Sequence, residues 1–134
     1  MSAHDAADDT SVTKRALITG ASSGIGAATS RLLAERGFDV IGVARRADRL
    51  EDFAGNPRIY AHVCDVTSPD DVAALVDTVA EGGPLDVLIN NAGGAAGMES
   101  VEEGSIDDWR WMYEINVIAA KRMITSFLPL LRQA

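Results

Sequence analysis

Arg15-Ala-Leu-Ile-Thr-Gly-Ala-Ser-Ser-Gly-Ile-Gly26 is the stretch from which the fold can be read. Ala16 to Ile18 is a short apolar run able to form a strand, and it stops just short of a glycine. Glycines then fall at Gly20, Gly24 and Gly26, and Ala27 to Arg36 reads as a helix closed by Gly37. Strand, glycine-rich turn and helix are the setting in which such glycines bind phosphate. The first lets the chain turn sharply. The second removes a Cβ where main chain must approach a pyrophosphate, and the third lets helix and strand pack closely. The free N–H groups and positive dipole end of the new helix favour the anion. Gly20, Ser22, Ser23, Gly24, Ile25 and Gly26 are therefore candidate nucleotide-binding residues.

The spacing discriminates further. An NTPase phosphate loop needs Lys-Ser or Lys-Thr after its last glycine, and Ala27-Ala28 stand there instead. The common dinucleotide fingerprint is Gly-x-Gly-x-x-Gly. Here the pattern is Thr19-Gly20-x-x-x-Gly24-x-Gly26, and in the form TGASSGIG it resembles the short-chain dehydrogenase/reductase family. The resemblance implies an α/β fold of Rossmann type, a doubly wound parallel sheet with strand order 3-2-1-4 and right-handed crossovers. It also implies an oxidoreductase that moves hydride between a nicotinamide cofactor and a carbonyl or alcohol.

Composition bounds the rest. At 134 residues the chain holds one domain at most, small for a doubly wound sheet. No run reaches the length of a membrane span, and the acidic, polar N-terminus reads as neither signal peptide nor anchor. A lone Cys64 excludes an internal disulfide and a cysteine metal cluster, which fits a cytoplasmic protein. A net charge of −8 argues against a nucleic-acid groove. Thirteen aspartates against two lysines fit either a high-salt host or ordinary acidic solubility.

Residues 1–13, including His4, lack apolar periodicity and are expected to form a disordered acidic tail ahead of a domain over 14–134. Asp39 to Ala44 is a nearly continuous apolar strand, of the kind buried on both faces of a parallel sheet. An acid at its end would accept from the adenosine ribose and repel a 2′-phosphate. Arg45 and Arg46 stand there instead, and two guanidiniums suit a phosphate. The expected cofactor is NADP(H) rather than NAD(H). The competing reading has both arginines solvated, or paired with Asp48 and Glu51.

Ala47 to Phe53 reads as a short helix, Gly55-Asn56-Pro57 as a turn, and Arg58 to Val63 as a third strand at the sheet edge. His62 and Cys64 are expected to be packing residues. In the resemblance, Asp65 accepts the adenine amino group and Val66 supplies a main-chain contact. Thr67 or Ser68 caps a helix starting at Pro69, whose buried stripe is Val72, Leu75, Val76 and Val79. Leu85 to Ile89 is the fourth strand.

It runs into Asn90-Asn91-Ala92-Gly93, a second match to the family. The resemblance makes Asn90 a tie between neighbouring strands and sets the cofactor ribose against Ala92 and Gly93, with Asn91 beside them. Ser105 to Arg132 is expected as one long helix, capped by Ser105 with Asp108. Ile106, Trp109, Tyr113, Val117, Ala120, Ile124, Phe127 and Leu131 should face the sheet at helical period. A second stripe, Trp111, Ile115 and Ile118, is the expected face for pairing into a homo-oligomer. Pro129 should kink or end the helix near Thr125 or Ser126. Asn116 matches the family's catalytic asparagine, which kinks this helix so that a main-chain carbonyl holds a water in a proton relay.

The family's proton-donating Tyr-x-x-x-Lys is missing, since Tyr60 is followed by Cys64 and Tyr113 by Val117. The expectation is a chain truncated after its cofactor half, with the fourth strand left as an exposed edge and the fold marginal unless association completes it. Three functions remain open at this point. They are an NADP(H)-dependent oxidoreductase acting on a small molecule once completed, a nucleotide-binding module without chemistry, and an interaction protein using the last helix.

Overall fold

The computed structural model describes residues 13–97 and 99–134. Apart from Thr13, the expected tail with His4 lies outside the described residues. Strands β1 (Arg15–Thr19), β2 (Asp39–Ala44), β3 (Ile59–Val63) and β4 (Val87–Ile89) form one sheet in the order β3-β2-β1-β4. Every pairing is parallel, with Leu17 opposite Ile41 and Leu88, and Ile41 opposite Tyr60. The expected strand order is thus the observed one. Among the described residues β4 pairs only with β1 and forms an edge.

Alternation along the strands builds two cores. Leu17, Ile41 and Val43 point to one face, covered by α2 (Pro69–Ala80) and α4 (Ala119–Arg132) through Val72, Leu75, Val79, Met123 and Phe127. Ile18, Val40 and Ala44 point to the other, covered by α1 (Gly24–Glu35) and a 3₁₀ helix over Ala47–Phe53. Each fully buried side chain of this size contributes about 1.5–3 kcal/mol, so both faces must be covered for the sheet to persist. Ser68 caps α2 by accepting from the Asp71 N–H, and Pro69 occupies its first turn.

Helix α1 begins at Gly24, three residues before the expected Ala27. The glycine turn is itself the first helical turn, which leaves its N–H groups as the unpaired donors of the helix end.

The long helix needs the larger correction. It is divided into α3 (Ile106–Tyr113), a π-helical turn over Glu114–Ile118, and α4. Ser105 caps α3 through the Asp107 and Asp108 N–H groups. Yet α3 buries no residue: Trp109 is 55% exposed, and Ile106 and Tyr113 are exposed with it. In α4 the buried stripe is Ala119, Met123, Phe127 and Leu130, whereas Ile124, and Val117 in the π turn before it, face out. A π turn inserts an extra residue and moves the downstream phase by about 100°, so a stripe counted from Ile106 arrives one residue off. Of the expected sheet-facing set, Phe127 is fully buried and Leu131 packs partly against the core. Pro129 lies inside α4, which runs on to Arg132 instead of ending near Thr125. No helix among the described residues is long and apolar enough to cross a membrane.

Candidate functional site

A cleft of about 360 Å³ opens at the carboxyl ends of all four strands. It lies where the chain order reverses, with β1 between β2 and β4, the usual position for a ligand in an open parallel sheet. Gly20, Ser22 and Ser23 line it from β1, Arg45 and Arg46 from β2, Asp65 and Val66 from β3, and Asn91, Ala92 and Gly93 from β4.

The first glycine turn is held open by geometry. Gly20 has φ +62°, and a Cβ there would meet Asn91 Nδ2 at 3.0 Å and the Ala92 main chain at 3.1 Å. At Gly26 a Cβ would run into the Gly20 carbonyl oxygen. Gly24 has φ +55° and open space around it, so it serves the turn and not the packing. Gly24, Ile25 and Gly26 do not line the cleft; Ile25 is exposed and Gly26 is buried behind Gly20. Ser23, at the N-cap of α1, makes no side-chain cap hydrogen bond, and the first turn carries no acid. That end keeps its full positive character toward the cleft.

Asn91 and Thr19 hold the two glycine-bearing turns together. Asn91 Nδ2 donates to the Gly20 carbonyl at 3.1 Å. The Thr19 hydroxyl accepts from the Asn91 N–H at 3.0 Å and the Ala92 N–H at 2.9 Å, and donates to the Ile89 carbonyl. Asn90, the expected tie, is exposed and makes no such bond among the described residues; the tie is Asn91, one residue on. Thr19 opens the TGASSGIG motif, but its two main-chain partners 72 and 73 residues on are visible only in the fold.

Arg45, Arg46 and the unforeseen Arg49 form the basic wall of the cleft. Among the described residues neither Arg45 nor Arg46 forms an ion pair, so the pairing with Asp48 and Glu51 is not made. Asp65 Oδ1 accepts from the Thr67 hydroxyl at 2.6 Å and the Thr67 N–H at 3.0 Å. The Thr67 hydroxyl is the main cause holding this carboxyl below its usual range; burial opposes it, and the Thr67 N–H, Arg45 and Arg122 assist. Cys64 also borders the cleft, but burial first, then Asp71 and Asp65, push its thiol up to about 11. It stays protonated near neutrality and is no nucleophile.

Asn116 sits in the π turn, outside the cleft lining. Its Oδ1 accepts from the Gly94 N–H at 3.0 Å and its Nδ2 donates to the Gly94 carbonyl at 2.7 Å. A Cβ on Gly93 would meet Asn116 Oδ1 at 2.5 Å, which explains the glycine there. Trp111 and Ile115 line the cleft, and Ile115 also packs on the core, so they form no outward stripe with Ile118. No cluster of potential metal ligands occurs among the described residues.

The profile of the short chain dehydrogenase family matches residues 14–134. An uncharacterized oxidoreductase of Staphylococcus saprophyticus is 40% identical over 124 residues, covering 90% of this chain and 50% of that protein. The crystal structure of a short-chain dehydrogenase from Streptomyces avermitilis superposes with a TM-score of 0.84 at 35% identity, over 92% of this chain and 46% of that one. The closed form of a serine dehydrogenase complexed with NADP+ superposes with a TM-score of 0.81 at 31% identity, over 86% and 48% respectively. The chain thus spans about half the length of the relatives it matches.

Proposed function

Because the chain belongs to the short-chain dehydrogenase/reductase family of oxidoreductases, we propose that its 134 residues are the cofactor half of an NADP(H)-dependent enzyme acting on a small carbonyl or alcohol. The observation that carries the choice of cofactor is the pair Arg45–Arg46 at the end of β2 in the cleft, neither of which forms an ion pair among the described residues. Bare main chain at Gly20 and the α1 N-terminus would hold the diphosphate, with Ser22 and Ser23 as side-chain donors. Gly24, Ile25 and Gly26 would act by shaping that turn. Arg45 and Arg46 would pair with the 2′-phosphate, Asp65 and Val66 with adenine, and Asn91, Ala92 and Gly93 would give the ribose a wall without bulk.

When bound, the nicotinamide supplies or takes up the hydride. Asn116 would fix the π turn against Gly94 so that a main-chain carbonyl left unpaired there can hold a water for proton relay. Proton transfer to the substrate itself is assigned to a Tyr-x-x-x-Lys pair outside these residues. Ile118 of the expected stripe lies with Ile106, Trp109 and Tyr113 on an exposed face, which, with Ile124 exposed on α4, would be where two copies pair, while Trp111 and Ile115 line the cleft.

The test is a fluorescence titration with NADPH and NADH. A charge-assisted hydrogen bond contributes about 1.5–3 kcal/mol, so NADPH should bind roughly tenfold or more tighter, and Arg45→Ser with Arg46→Ser should abolish that margin. Equal affinities in the unmodified chain would sink the NADP(H) assignment. Carbonyl reduction appearing only when a C-terminal half bearing Tyr-x-x-x-Lys is co-expressed would support the divided active site; none in either case would leave a binding module.

A further inference from the structure

Between β3 and α2 the chain makes a tight turn whose donors are almost all engaged. The Cys64 N–H donates to the Ala44 carbonyl, Asp65 N–H to Asp71 Oδ2, Thr67 N–H to Asp65 Oδ1 and Ser68 N–H to the Asp65 carbonyl. Among the described residues the Val66 N–H has no hydrogen-bond partner, although Val66 is buried against the cleft. Because Val66 lines the cleft, a ligand acceptor seated there could take up this donor.

The next peptide is gripped from both ends. Its N–H, from Thr67, goes to the Asp65 carboxylate, and its carbonyl, from Val66, accepts from Arg122 Nη1 at 3.0 Å. Arg122 reaches there from α4, its side chain 20% exposed, and the same nitrogen lies 3.4 Å from Glu114 Oε2 in the π turn. If the Arg122 grip were lost, this peptide could rotate. That rotation would withdraw the Thr67 N–H from Asp65 Oδ1 and loosen the carboxylate that stands next to the Val66 N–H.

We infer that Arg122 is a positioning residue for the cofactor's adenine: it holds a carboxylate acceptor and a main-chain donor side by side at the cleft wall. This rests on the dinucleotide reading above. Adenine presents an amino donor beside a ring-nitrogen acceptor, the complement of that pair. Hypoxanthine presents a carbonyl oxygen beside an N–H, the reverse order, and would set acceptor against acceptor and donor against donor.

The experiment measures binding of NADPH and of its hypoxanthine analogue to the 134-residue chain, unmodified and with Arg122→Lys or Arg122→Met. The unmodified chain should favour NADPH. Arg122→Met should weaken NADPH about tenfold and the analogue less than about threefold, as expected for loss of one partly buried hydrogen bond that serves adenine alone. Arg122→Lys should fall between, because its side chain is one bond shorter and its ammonium is a more strongly hydrated point charge than the guanidinium. Equal loss for both ligands, or none, would overturn the role. Should Arg122→Met not fold, Arg122→Lys decides, and an unchanged preference for adenine overturns the inference. If the unmodified chain binds neither ligand, the dinucleotide reading fails and Arg122's role goes with it. If it binds and prefers adenine while the variants keep that preference, Arg122 alone is removed from the scheme.

Discussion

Glycines 24 and 26 show how two identical residues in one turn carry different constraints. Gly24 has φ +55° but no neighbour where a Cβ would go, so Gly24→Ala meets only the left-handed backbone penalty of about 1–2 kcal/mol. Gly26 has ordinary backbone but no room, because its Cβ would strike the Gly20 carbonyl and the Asn91 amide. Gly26→Ala should therefore cost about 1–3 kcal/mol from overpacking and also displace Asn91, weakening NADPH binding more than Gly24→Ala does. Thermal melts with and without NADPH check both, and equal ligand affinities in the two variants would count against the account. Asp65 yields a prediction with a definite sign. Its folded pKa is lowered, chiefly by the Thr67 hydroxyl. Its contribution to stability is fully present above the unfolded carboxylate value of about 3.9 and is lost as pH falls through the lower folded value. Thr67→Val should raise the Asp65 pKa, and the variant's stability deficit should narrow on acidification below that range. Carboxyl NMR titration and urea midpoints across pH read both effects; an unmoved Asp65 pKa would refute the assignment.

At the scale of elements, the π turn is where α3 and α4 meet, and Asn116 is its clamp. A π turn costs hydrogen-bond regularity and persists when neighbouring contacts fix it. Here the contacts are the paired hydrogen bonds from Asn116 to Gly94. Asn116→Leu removes both, at about 1–3 kcal/mol in total, and frees the Gly93–Gly94 segment. Hydrogen exchange at the Gly94 amide should speed up by about fivefold or more, the lower bound of that range, while α2 and β1 keep their protection. Unchanged protection at Gly94 would mean that the loop is held by something other than Asn116.

For the whole molecule, the sheet is covered on both faces, and among the described residues β4 pairs on one side only. Ile106, Trp109 and Tyr113 of α3, Val117 of the π turn and Ile124 of α4 are exposed. Apolar surface gathered in this way marks an association face more often than a free one. The 134-residue chain is expected to elute above its 14.2 kDa monomer mass in a concentration-dependent manner. Trp109→Glu with Ile124→Glu should return it toward monomer. A chain that is monomeric at every concentration, with a sharp melting transition, would dispose of this prediction.

The family resemblance implied the order β3-β2-β1-β4, and the amino-acid sequence by itself determined the local and periodic features: strands, the glycine fingerprint, the arginines after β2 and the α2 cap. Each depends on residues within a few positions of one another, where side-chain period and turn stereochemistry act without help from the rest of the chain. Only the tertiary structure decided that Asn91 and not Asn90 ties the turns, and that Thr19 receives two main-chain donors from 72 and 73 residues away. Likewise, only the fold turned Trp111 and Ile115 into the cleft, exposed Trp109, and brought Arg122 to the Val66 carbonyl. A one-residue π insertion re-phases everything after it, and the paired Asn116–Gly94 hydrogen bonds that accompany it exist only once loop and helix have met.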